Sequence, residues 1–122
     1  MIKHTLLVLF FFLIAVVAKA QLNGSRWSSL PVTDTVRQFT IEFGSDSAVL
    51  RSRDSTVFEK MSYKIDHGKL ILQKGIGSTS CSSEDVVIYD FKIAGNNLEM
   101  RLVSDPCGQR SMALVGNWAK QL

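Results

Sequence analysis

The sequence predicts an all-β domain, an up-and-down barrel of about eight antiparallel strands. Three observations carry this expectation. Apolar and polar residues alternate in short runs from Val36 onward, which is the period of a half-buried strand. Gly, Asp and Asn separate the runs, as hairpin turns require. No segment after residue 21 sustains a 3.6-residue period. So many strands in one open sheet would leave exposed edges, and closing into a barrel removes them. A two-sheet β-sandwich is the alternative.

The elements follow in order. A short stretch near Trp27 to Leu30 is a first strand or a 3₁₀ turn. Phe39, Ile41 and Phe43 share one face before Gly44, Ser45 and Asp46 break the run. Ala48 to Arg53 points Ala48 and Leu50 inward and Arg51 and Arg53 outward. Val57 to Ile65 sets Val57, Met61, Tyr63 and Ile65 against Lys60, Ser62 and Lys64, and the sequence Asp66, His67, Gly68 reads as a tight hairpin leading to Leu70 and Leu72. Lys74 to Glu84 has no hydrophobic face and is expected to be a surface loop held by Cys81. Val86 to Ile93 turns Val87, Tyr89, Phe91 and Ile93 inward; Gly95, Asn96 and Asn97 form a hairpin, and Leu98, Met100 and Leu102 answer across it. After a turn at Asp105, Pro106 and Gly108, a last strand is expected to carry Met112, Leu114, Gly116 and Trp118 inward. In a barrel the first and last strands are neighbours, which brings Trp27 and Trp118 together.

Lys3 and His4 precede an unbroken apolar run from Leu6 to Ala18, and Ala18-Lys19-Ala20 has the form of a cleavage site. This pattern predicts a secretory signal peptide over 1–20 and a mature domain over 21–122, exported to the periplasm or beyond. A membrane anchor is the competing reading, but the run is shorter than the roughly 20 residues that span a bilayer. No membrane insertion is expected after cleavage. Without Lys3 and Lys19 the chain keeps 12 basic against 11 acidic residues, a net charge of +1, and the basic residues are scattered singly. That balance excludes a nucleic-acid partner recognised through a basic stripe.

Cys81 and Cys107 both fall in the exported part, where a disulfide persists. A zinc site is the rival, yet the mature chain holds one histidine, His67, and a structural zinc site needs four N or S donors. No metal and no cofactor is expected. His67 has the place of a turn residue, and no Gly-x-Ser-x-Gly elbow is present. Glu84, Asp85 and Asp105 lack the spacing of a calcium loop, although a disulfide would draw them together. The reading is therefore of a protein that is not an enzyme.

Gly24-Ser25-Arg26-Trp27, YKIDHGKLIL, YDFKIAGNNLEM and DPCGQR followed by MALVGNWAK resemble the small lipocalin-like domains of exported bacterial proteins, especially those of Bacteroidetes. The resemblance implies a calycin-type barrel with an internal cavity. It also implies that Trp27, Arg110 and Trp118 close the barrel's end. The inward residues Tyr63, Tyr89, Phe91, Met100 and Arg110 are candidate ligand contacts, with core packing as the plain alternative for each aromatic. The function expected is binding of a small, mainly apolar molecule; the alternative is a periplasmic module that binds another exported protein, such as a hydrolase inhibitor.

Overall fold

Alternating β-branched and aromatic residues form strands, and each strand here is long enough to reach across a small barrel. The computed structural model describes residues 21–30, 38–77 and 79–121. The expected leader and the first residues of the alternating region, at Val36, lie outside them. The strands are β1 (Arg26–Ser29), β2 (Phe39–Phe43), β3 (Ser47–Ser52), β4 (Val57–Asp66), β5 (Lys69–Gly77), β6 (Val87–Ala94), β7 (Asn97–Ser104) and β8 (Gly116–Lys120), and a short helix, α1 (Gly108–Leu114), precedes β8. They close into a barrel in sequence order, every neighbouring pair antiparallel. The sandwich alternative is excluded.

The seam joins β1 to β8, with Trp27 opposite Lys120 and Ser29 opposite Trp118. Both tryptophans are buried and both indole N–H groups are satisfied, Trp27 Nε1 donating to Ser25 Oγ at 2.7 Å and Trp118 Nε1 to the Leu114 carbonyl at 3.0 Å. The inward faces of β2 to β7 meet in one apolar cluster that includes Ile41, Phe43, Ala48, Leu50, Met61, Tyr63, Leu70, Leu72, Val87, Tyr89, Leu98 and Met100. These positions follow the alternation predicted for their strands.

Two turns and approaches need glycine. His67 (φ 51°) and Gly68 (φ 75°) both take positive φ at the β4–β5 hairpin, which fixes its register from Asp66 opposite Lys69 onward. At Gly77 a Cβ would stand 2.8 Å from the Phe58 carbonyl oxygen and the Glu59 Cα, so β4 and β5 approach too closely there for any side chain.

Three expectations are corrected. The segment expected as the first half of the last strand is the helix α1, and β8 starts only at Gly116. Met112 therefore points to solvent at 73% exposure, while Arg110, Ala113 and Leu114, spaced three and four apart, face inward. Leu102, expected inside, is half exposed: β8 begins opposite Met100, so β7 beyond that residue has no β8 neighbour to cover it. The long loop starts later than expected, because β5 continues through Lys74 to Gly77 against β4.

Candidate functional site

Strand direction reverses at each step round the barrel, so the connections alternate between its two ends. One end takes the short turns at 44–46, 67–68 and 95–96; the other takes Leu30, Gln38 and the connections 53–56, 79–86 and 105–115. The candidate site lies at this second end, where α1 and the 79–86 loop meet the interior.

Its centre is Arg110, whose side chain is fully buried. The guanidinium grips Asp105 in a fork, Nε to Oδ2 at 2.9 Å and Nη2 to Oδ1 at 2.8 Å. Nη1 reaches Glu59 Oε1 at 3.4 Å, and Nη2 lies 3.7 Å from Asp85 Oδ2. Tyr89 donates its hydroxyl to Asp105 Oδ2, the Cys107 N–H donates to Oδ1 at 2.9 Å, and Thr79 Oγ1 donates to Glu59 Oε1 at 3.1 Å. Glu59 Oε2 is buried, and no group among the described residues donates a hydrogen bond to it. One guanidinium thus serves three carboxylates contributed by β4, the 79–86 loop and the turn before α1.

The electrostatics follow from that packing. Burial pushes the Asp105 carboxyl up, but the bonds from Arg110, Tyr89 and the Cys107 amide together outweigh it and hold its pKa below the ordinary carboxylate value. Burial first, then the bond to Asp105, raises the Tyr89 phenol far above its usual range, so it stays a donor. Burial also opposes the Arg110 charge, and Asp105 followed by Glu59 overcomes that opposition.

The disulfide joins Cys81 to Cys107 with Cα atoms 5.5 Å apart, tying the 79–86 loop to the residue that precedes α1. Lys74 Nζ donates to the carbonyls of Thr79 and Cys81 at 2.7 and 2.9 Å, and the Ser80 N–H donates to Gln109 Oε1 at 3.4 Å. The loop is pinned over the cluster.

No protein-family model matches the chain, and no curated protein or solved structure matches it. The reading of the site therefore stands on its geometry.

The residues singled out from sequence are dispersed through the interior. Tyr89 and Arg110 meet in the cluster through Asp105. Tyr63 lies toward the short-turn end, its hydroxyl donating to the Gly44 carbonyl at 2.6 Å. Met100 is in the apolar core, and Phe91, partly buried, borders a surface hollow of about 250 Å³ with Asp90, Lys92, Glu99 and Arg101. Tyr89, Arg110, Glu59, Leu50, Ile41 and Leu98 have no water-accessible surface, so no water-sized void touches them. Trp27 and Trp118 lie on the seam strands β1 and β8, and Arg110 is buried on α1 at the long-connection end. Asp85 and Asp105 are drawn together as the cysteine pair implied, but around a guanidinium; Glu84 stays exposed. His67 is exposed at the tip of the opposite end.

Sequence reasoning missed Glu59 and Thr79. Glu59 shares the parity of Met61 and Tyr63, so an inward carboxylate was legible in the alternation. Thr79 sits in an irregular segment with no periodicity to mark it. Among the described residues no group of three or more His, Cys, Asp or Glu is placed to hold a metal ion, and no helix is long and apolar enough to cross a membrane.

A second feature marks the same end. The large hydrophobic side chains exposed among the described residues are Leu30, Ile76, Val86, Leu102, Val103, Met112 and Val115. Each lies in a long connection or in the strand residues next to one, and none is near the short turns.

Proposed function

We propose that the protein is an exported, noncatalytic binding module of the lipocalin-like type found in Bacteroidetes, and that its partner is another exported protein. The closed eight-stranded barrel supports the lipocalin-like part of this reading. The observation that carries the binding part is the gathering of exposed aliphatic side chains at the long-connection end. Scattered apolar surface residues are ordinary, whereas their concentration at one end of a molecule is the mark of a contact surface. Beneath them the Arg110 cluster and the disulfide fix the loops, which lowers the entropy lost when a partner docks.

A small, mainly apolar ligand is the second reading, favoured by the same aliphatic rim. Tyr89 and Leu98 have no water-accessible surface, and the exposed aliphatic side chains offer such a ligand a place at the rim between the long connections.

The test places a photocrosslinker at position 112 and, as control, at position 67, in protein produced in its own host. Crosslinks to one exported protein from 112 but not from 67, lost when Val86 and Leu102 are both changed to Glu, are expected. Native mass spectrometry revealing a copurifying lipophile, with tryptophan emission altered on its removal, selects the second reading. With neither result both are wrong.

A further inference from the structure

We infer that the Cys81–Cys107 disulfide is a redox latch: its reduction releases the 79–86 segment and uncovers the buried Glu59 carboxylate while the barrel and the Arg110–Asp105 pair stay in place. The inference does not depend on what binds at this end.

Without the disulfide, polar contacts hold the loop. Ser80, Ser82, Ser83 and Glu84 are exposed, and Thr79 and Cys81 are buried. Apart from the disulfide, its anchors are polar: the Lys74 bonds to Thr79 and Cys81, a Gln73 bond to the Ser83 carbonyl at 3.4 Å, the Ser80–Gln109 bond, and the contacts of Thr79 with Glu59 and Asp85 with Arg110. Each can be replaced by water, so none opposes opening as strongly as apolar burial would.

The cluster beneath gives up little at one atom. Among the described residues no group donates to the buried Glu59 Oε2, so exposing it to water on loop release breaks no hydrogen bond there. The other side of the latch has its own hold. Asp105 and Arg110 lie five residues apart in one segment, joined by two short bonds, and Ala113 and Leu114 seat α1 in the core. Loss of the disulfide thus acts on one partner, the loop, and leaves the other docked.

The chemistry is exchange with an external dithiol. Its thiolate attacks the sulfur of Cys107, the more exposed residue of the pair, the S–S bond breaks and Cys81 leaves as thiolate. The dithiol's second thiol then displaces Cys107, so the protein ends with two thiols and the reagent with an internal disulfide. Two electrons and two protons pass from reagent to protein.

The test is carbodiimide labelling of carboxylates with an amine nucleophile, read by peptide mass, on folded protein before and after reduction with dithiothreitol. Hydrogen exchange of the Thr79 and Cys81 amides is followed in parallel, with β4–β5 amides between Ser62 and Leu72 as reference. Glu59 labelling at least tenfold higher after reduction is expected, together with at least tenfold faster exchange at Thr79 and Cys81 and less than twofold change in the reference. The Cys81→Ser, Cys107→Ser double variant should show the same pattern without reductant. Unchanged Glu59 labelling on reduction overturns the latch. Equal acceleration around the whole barrel also overturns it, because the bond would then be holding the barrel and not the loop.

Discussion

Arg110 is the residue whose surroundings distinguish this interior from a plain apolar barrel. It is fully buried beside Asp105 and Glu59, whose side chains are out of reach of solvent, so removing it strands both without a counter-charge. Arg110→Ala should lower the unfolding free energy by about 3 to 5 kcal/mol, measured by urea denaturation. A loss below about 1 kcal/mol would mean that the cluster is hydrated. Acid should act through the same group. The depressed Asp105 pKa makes its contribution complete above the ordinary value of 3.8, and the contribution is lost as pH falls through the lower folded value. The urea midpoint should therefore hold from pH 7 to about 5 with respect to this group and fall below about pH 4. Asp105→Asn, weaker at neutral pH, should show a shallower acid decline; an equal decline assigns it to other carboxylates. At this scale Glu59 was legible by parity, while Arg110 faces inward through helical spacing with Ala113 and Leu114 and not through strand alternation, and which charges it meets was not legible, because Glu59 lies 51 residues away.

Helix α1 is the element that the alternation hid. Seven residues complete about two turns, too few for a 3.6-residue period to stand out, and one of its three buried positions is an arginine. Gly116, at φ 130°, lets the chain pass from α1 into β8. The distinction between strand and helix has a measurable consequence. Met112→Lys should change stability by less than about 0.5 kcal/mol, since the side chain is exposed. Trp118→Ala should cost about 3 to 5 kcal/mol, because it empties the seam and frees the Leu114 carbonyl. Thermal or urea unfolding of both variants checks the pair, and a large loss from Met112→Lys would return that residue to the core.

Across the whole molecule, the barrel divides into a short-turn end and a long-connection end, and the disulfide lies at the second. It closes a loop between residues 26 apart in sequence, which in the chain-entropy model contributes on the order of 3 to 4 kcal/mol. Cys107→Ser should lower stability by about that amount in urea denaturation; an unchanged midpoint would mean that the loop is closed as well without the bond. What the sequence determined by itself is the set of inward and outward faces of β2 to β7 apart from Leu102, since alternation is a local property of the strand, and the cysteine pair, since only one pairing exists. Tertiary structure decided the rest: that α1 and not a longer β8 fills the end, that Arg110 is shared by carboxylates from three separated segments, and that the exposed aliphatic residues collect at one end. Each depends on which distant segments meet once the strands close, and period-two alternation carries no information about those meetings.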